Sequence, residues 1–351
     1  MQLTKPLLPE IPELMPYIQD IWQSGFVTNN GKYCKELKIK LTEFLNINDI
    51  SLVSSGTFAL WSALKALNIQ GEVITTPYTF VATTNVLKQL NITPVYVDVK
   101  DDGTINPDKI EAAITDKTTA ILAVHVHGFP CDVQKISEIA HKHNLKVIYD
   151  AAHAFNVKIN GTPLVNYGDV SALSFHATKV YNTIEGGAVI ANSEIVKQID
   201  LLKNFGIVDE ETILCPGLNG KLDEIRSAIG ILNLKTVTEA INKRKQIAEY
   251  YLKHLNIPGI RLPKYKDNIA YNYSYFPIYI NSDIYGLTRD ELFAKFRKES
   301  ILVRKYFYPL LCDNSVNVPN ARKLSNNVLC LPIYPELTNI KNITKIICES
   351  L

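Results

Sequence analysis

Lys179 closes the run Ser174-Phe-His176-Ala-Thr178-Lys179, directly behind an apolar stretch that reads as a strand. Glu185-Gly186-Gly187 follows as the entry to another strand. A lysine in such a place is expensive to bury unless its amine has a task. Condensing with an aldehyde to form a Schiff base is such a task. Asp150 opens a second segment, Asp150-Ala-Ala-His153, again at a strand end. Taken alone, an acid there reads as a cap for whatever follows. The third segment, Ser54-Ser55-Gly56-Thr57, precedes a helix; its small residues let backbone N–H groups and the helix dipole face a phosphate.

Each segment has an ordinary structural reading, but the three together describe a site for pyridoxal phosphate. The phosphate would sit on the helix N-terminus at Gly56 and Thr57. Asp150 would pair with the protonated pyridine nitrogen and keep the ring an electron sink, its own pKa falling beside that charge. Lys179 would hold the aldehyde carbon. Phe80 either stacks on the ring or is a core aromatic.

The elements that must position these residues alternate. Short apolar or β-branched runs at 51–53, 72–75, 94–99, 119–126, 145–149, 171–175 and 188–191 read as strands. Between them, 57–67, 82–90, 106–113 and 133–143 read as helices, with Asn106-Pro107 as a cap and first-turn proline. Such βαβ succession implies a mostly parallel sheet covered by helices on both faces. Open α/β sheets place their sites at the C-terminal ends of the strands, where all three segments fall. After about residue 235 the pattern changes. A helix at 239–255, a half-exposed strand at 273–280 and a capping box at Thr288-Arg-Asp-Glu291 suggest a smaller α+β domain. We therefore expect a large cofactor-binding domain over 1–235 and a small domain over 236–351, with residues 1 to about 20 free to join either.

Composition narrows the classes further. At 351 residues the chain should bury about three quarters of its unfolded surface, ample for two domains. Its 37 basic and 35 acidic residues nearly cancel, and the densest basic cluster is Lys243-Arg244-Lys245, so neither nucleic acid nor an acidic membrane surface is expected as a partner. No run approaches 18 apolar residues, which predicts no membrane span. Six scattered cysteines without a CxxC pair read as reduced thiols of a cytoplasmic protein. No G-x-G occurs, Gly217-Leu-Asn-Gly220-Lys221 is too short for a phosphate loop, and H-E-x-x-H is absent. His125 and His127, read as sharing one face of a strand near Asp150, could bind a metal, but polar residues lining a sheet edge are the better-supported reading.

From about Gly25 to Pro335 the sequence resembles the DegT/DnrJ/EryC1/StrS aminotransferases, pyridoxal phosphate enzymes of the aspartate aminotransferase fold that act on nucleotide-linked keto sugars. The resemblance is carried by Ser55-Gly56-Thr57, Tyr149-Asp150-Ala-Ala-His153, Ser174-Phe-His176-Ala-Thr178-Lys179 with Glu185-Gly-Gly187, and Gly217-Leu-Asn219. It implies that Gly56, Thr57 and Ser174 bind the phosphate, that Phe80 stacks, and that Asp150 meets the ring nitrogen. His153, where many members carry Gln, would lie near the ring hydroxyl. Asn219 would reach the phosphate held by the neighbouring subunit of a homodimer with shared active sites. Tyr306-Phe-Tyr-Pro309 and Leu331-Pro-Ile-Tyr334 are similar to the family's C-terminal signatures and are read as fold markers.

The activity so implied is amino transfer in two halves: from L-glutamate, leaving 2-oxoglutarate, and then to a dTDP- or UDP-linked 4-keto-6-deoxy sugar. A 3-keto sugar is the alternative acceptor. A dehydratase of the same fold, or a regulatory protein on it, would lack the Lys179 equivalent.

Overall fold

A seven-stranded sheet organises the N-terminal two thirds of the computed structural model, which describes residues 1–349. Its strands are β1 (Ile50–Val53), β2 (Glu72–Thr75), β3 (Thr93–Tyr96), β4 (Thr118–Val124), β5 (Lys146–Asp150), β8 (Val170–Ser174) and β9 (Gly187–Ala191). A short hairpin, β6 (Lys158–Ile159) and β7 (Thr162–Pro163), lies between β5 and β8 in the chain. The sheet order is β1-β9-β8-β5-β4-β2-β3. Pairing is parallel from β3 through β8, and β9 alone runs against its two neighbours.

Period-two alternation sorts the strand residues to two buried faces. Along β4, Ile121 and Ala123 join one apolar cluster while Ala120 and Leu122 join the other. The first face is covered by α2 (Lys32–Leu45), α5 (Val133–Lys142) and α7 (Glu224–His254), the second by α3 (Gly56–Ala66), α4 (Val81–Gln89) and α6 (Ser193–Leu202). Helix α1 (Ile11–Ser24) lies along α7. Helix α3 is apolar on nearly every side because it is inserted in the core, with Ala63 and Leu64 fully buried. Truncating Leu64 to Ala should cost about 2–5 kcal/mol.

The C-terminal third builds a second sheet, β10 (Ile260–Arg261), β12 (Phe276–Ile280) and β13 (Val328–Leu331), ordered β10-β12-β13; β11 (Ile269–Ala270) pairs instead with β6. The expected division at residue 235 falls inside α7, whose 31 residues pass from the apolar cluster of the large sheet (Val237) to that of the small one (Ile247, Tyr251). The N-terminus reaches both units: the Ile333 N–H donates to the Leu3 carbonyl, and the Asn182 and Asn233 amides donate to the Leu7 carbonyl.

Four elements differ from the sequence reading. The helix expected at 239–255 begins at Glu224, where the Asp223 side chain caps it by accepting from the Arg226 N–H. Residues 227–233 of this helix are buried all round and present no polar face to reveal its period. Residues 106–113 form two 3₁₀ turns rather than one helix, although Asn106 does accept from the Asp108 N–H. Strand β12 is buried on both sides, with Phe276, Ile278 and Ile280 in one cluster and Tyr279, with Tyr275 just before the strand, in another. His125 and His127 lie beyond the end of β4, on a turn with His127 at φ 56°, so they do not share a strand face.

Candidate active site

The strand order brings the three chemical segments together. Gly187 on β9 pairs with Val53 on one side and with Ser174 on the other, while Asp150 at the end of β5 pairs with Ala172. The turn after β1, the end of β5 and the end of β8 therefore open into one cavity of about 340 Å³. The packing there tolerates no side chains. A Cβ on Gly56 would lie 2.7 Å from the Ser174 Cβ, and one on Gly187 would lie 2.6 Å from the Ser55 carbonyl carbon. Ser55 caps α3 by accepting from the Phe58 N–H at 3.1 Å. The earlier N–H groups of that first turn, at Gly56 and Thr57, have no partner within the helix and border the cavity, a geometry that suits a phosphate.

Asp150 is buried, 6% exposed, at the floor. Its carboxylate accepts from the Thr83 hydroxyl at 2.7 Å and from the Ala152 N–H at 3.1 Å. Burial pushes its pKa up, and these two donors and Lys179 pull the other way. A buried carboxylate held this way is arranged to meet a cation, as a protonated ring nitrogen would be. Lys179 shares the cavity, and burial lowers its pKa to about 8, opposed by Asp150. That places its amine within reach of the neutral, nucleophilic form near physiological pH.

His153 is held on three sides. Its Nδ1 accepts the His127 backbone N–H at 3.2 Å, its ring lies parallel to that of Phe307 with centroids 6.0 Å apart, and Tyr275 meets it edge-on at 4.9 Å. Burial lowers its pKa well below the usual imidazole range, so the ring is neutral. His127 itself is packed against Phe307, and His125 is stacked on Tyr149 at 4.6 Å. Burial lowers both to about 3. Among the described residues no group of three or more His, Cys, Asp or Glu is placed to hold a metal ion.

Gly56, Thr57, Phe80, Asp150, His153, Ser174 and Lys179 all line this cavity. Phe80, at the N-cap of α4, is 53% exposed and is not a core aromatic. Asn219 does not line the cavity. It is exposed, on a loop whose next residue, Gly220, accepts the Ser54 N–H through its carbonyl at 2.7 Å. Thr83, Tyr275 and Arg304 were not singled out from the sequence; Tyr306 and Phe307, read as fold markers, form part of the wall. The one usable signal was Thr83, a hydroxyl in the first turn of the helix that follows Phe80.

The profile of the DegT/DnrJ/EryC1/StrS aminotransferase family matches residues 10–349. A dTDP-4-amino-4,6-dideoxy-D-glucose transaminase from Shigella dysenteriae is 46% identical over 348 residues, covering 96% of this chain and 95% of the relative. One from Escherichia coli is 44% identical, covering 98% and 97%. Among solved structures, DesI in the presence of its TDP-sugar product superposes with a TM-score of 0.93 at 27% identity, covering 98% of this chain and 91% of DesI. Helicobacter pylori PseC, an aminotransferase of pseudoaminic acid biosynthesis, superposes at 0.91 and 26% identity, covering 99% and 98%.

Proposed function

The chain belongs to the DegT/DnrJ/EryC1/StrS aminotransferase family, and on that premise we propose that it moves an amino group from L-glutamate to C4 of a dTDP-linked 4-keto-6-deoxy hexose, producing a dTDP-4-amino-4,6-dideoxy sugar and 2-oxoglutarate. The cofactor is pyridoxal phosphate, which supplies an aldehyde that exchanges amines and a ring that withdraws electrons from the reacting carbon. The observation that carries the reading is the convergence of Lys179, Asp150 and the first turn of α3 on one cavity. Both transaminases named above form a 4-amino sugar nucleotide by name, which favours the 4-keto acceptor over a 3-keto one.

In this reading Gly56, Thr57 and Ser174 hold the phosphate, Phe80 covers one face of the ring, and Asp150 keeps the ring nitrogen protonated. His153 donates from Nε2 to the ring oxygen. Lys179 binds the aldehyde carbon at rest. Once freed, its Nζ would take the proton from the amine-bearing carbon of the donor and pass it to the former aldehyde carbon, and in the second half would carry a proton from that carbon to C4 of the sugar. The presence of Lys179 argues against a dehydratase or a silent regulatory protein.

The active unit is a homodimer in which Asn219 of one subunit faces the phosphate held by the other. Two features support this placement. Asn219 stays outside its own cavity, and its loop exposes Phe205, Ile207, Val208, Ile213, Leu214 and Leu218, an apolar surface of the kind that partners cover. The six free cysteines suit a cytoplasmic enzyme, and no described helix is long and apolar enough to cross a membrane.

The test is direct. The protein is incubated with ¹⁵N-glutamate and dTDP- or UDP-linked 4-keto and 3-keto 6-deoxy sugars, and the product is assigned by NMR. Nitrogen-15 bonded to C4 of a dTDP sugar supports the proposal. Amination at C3, or no transfer, overturns it.

A further inference from the structure

Asn272, between β11 and β12, is buried and does not itself line the cavity. Its amide nitrogen donates to two carbonyls of the loop after β5, those of His153 and Phe155, each at 2.9 Å. Its side-chain oxygen accepts the Ser274 N–H at 3.0 Å, with Tyr273 between them at a left-handed φ of 52°. Two carbonyls on one side and an N–H on the other allow only this orientation of the amide. The turn is gripped from behind by Arg244, buried in α7, whose guanidinium donates to the Ser274 carbonyl at 3.4 Å and to the Ile333 carbonyl at 2.9 Å. The next residue, Tyr275, is the one that meets the His153 ring edge-on.

His153 is therefore held twice through one residue: its backbone by the bond from Asn272 to its carbonyl, its ring by the tyrosine that the Asn272 turn sets in place. The turn that carries His127 meets the same point, since a Cβ on Gly128 would lie 2.9 Å from both the Asn272 Oδ1 and the His153 carbonyl oxygen. That turn supplies the N–H that His153 Nδ1 accepts. A hydrogen bond weakens steeply as its geometry is lost, so the bond to Nδ1 depends on the three backbones keeping their places. We propose that Asn272 is a positioning residue, which holds His153 so that Nδ1 takes the His127 N–H and Nε2 presents its proton to the cofactor's ring oxygen. The role of Nε2 rests on the function proposed above; the hold of Asn272 on His153 does not.

The holoenzyme forms of wild type, Asn272→Ala, His153→Leu and the double variant are compared. Leu292→Ala, a truncation in the apolar cluster of the small sheet, controls for lost stability alone. Two quantities are read: the pH at which the visible band of the bound cofactor changes form, and the ¹⁵N shifts of His153. A donor on the ring oxygen favours its anionic form, so losing that donor should raise the band's midpoint by about one pH unit, in Asn272→Ala as in His153→Leu. The double variant should show the His153→Leu shift and nothing further, because Asn272 acts through that ring. In Asn272→Ala the His153 shifts should report both neutral tautomers, where wild type has one. Leu292→Ala should melt at a lower temperature and leave both readings at their wild-type values. A wild-type midpoint and a single tautomer in Asn272→Ala overturn the proposal. Midpoint shifts that add in the double variant, or the same changes in Leu292→Ala, overturn it too. If His153→Leu leaves the midpoint unmoved, the ring-oxygen reading fails by itself, and the tautomers alone decide for or against Asn272. Should Asn272→Ala not fold, Asn272→Ser, which keeps one donor, takes its place with the same changes expected in smaller measure.

Discussion

His153 accepts the backbone N–H of His127 through Nδ1 at 3.2 Å. A neutral imidazole has one donor and one acceptor nitrogen, so this bond leaves the proton on Nε2. His127 achieves it with a left-handed φ of 56°, which turns its N–H toward the ring. The cavity thereby gains an uncharged donor that does not titrate with its surroundings.

The first prediction follows from that bond. Since burial holds the His153 pKa well below the usual imidazole range, its ¹⁵N shifts should report one neutral tautomer, protonated at Nε2, from about pH 5.5 to 8. His153→Gln keeps an uncharged donor and should retain most activity. His153→Leu removes it and should slow turnover by about tenfold or more. Titration of His153 near its ordinary value would break the argument.

Asp150 gives the second. Asp150→Ala should leave the ring nitrogen largely unprotonated and slow turnover on the order of 10³-fold or more, equivalent to about 4 kcal/mol in the barrier. Thr83→Val removes only one hydroxyl donor to that carboxylate and should cost about 10-fold. Steady-state rates decide it: an Asp150→Ala enzyme within tenfold of wild type would reduce Asp150 to a turn-forming residue.

The third concerns Gly187. Its substituent would meet backbone atoms of Ser55 and Gly56 at 2.6–2.8 Å, and backbone cannot move aside as a flexible side chain can. Gly187→Ala should push the turn before α3 away from Ser174 and weaken cofactor retention at least about tenfold. Equilibrium dialysis reads this directly, and wild-type affinity in the mutant would show that the close approach serves no purpose in binding.

The fourth is a pH dependence. An ordinary lysine is almost wholly protonated at neutral pH, whereas one with a pKa of about 8 is about one tenth free amine at pH 7. Recombination of the cofactor-free protein with pyridoxal phosphate should therefore accelerate with pH and level off above about 8. The folded-state pKa lies below the unfolded one, so the unfolded chain holds more protons between the two values. Lys179 should thus add to the stability of the cofactor-free protein as pH rises from about 8 toward 10.5. A rate still climbing through pH 10 would place Lys179 in ordinary surroundings.

Much of the large sheet could be read from the sequence because its strands are short apolar runs punctuated by clear turns. The chemical segments were legible because glycine, buried acid and buried lysine are costly residues at strand ends. Three things were hidden. The early stretch of α7, residues 227–233, is buried all round and shows no period. Strand β12 sits between two apolar clusters, so its alternation looked like partial exposure. Tyr275, Arg304 and Phe307 come from the C-terminal third and meet Lys179 only through the packing of the second sheet on the first, which no local pattern records.

The most direct test of the site is to find which lysine the cofactor occupies. The holoprotein is reduced with borohydride, digested and mapped by mass spectrometry, beside Lys179→Ala treated in the same way. The account predicts a phosphopyridoxyl increment on Lys179 alone, with no tag and no turnover in the mutant. A tag on another lysine, or undiminished turnover by Lys179→Ala, would contradict it.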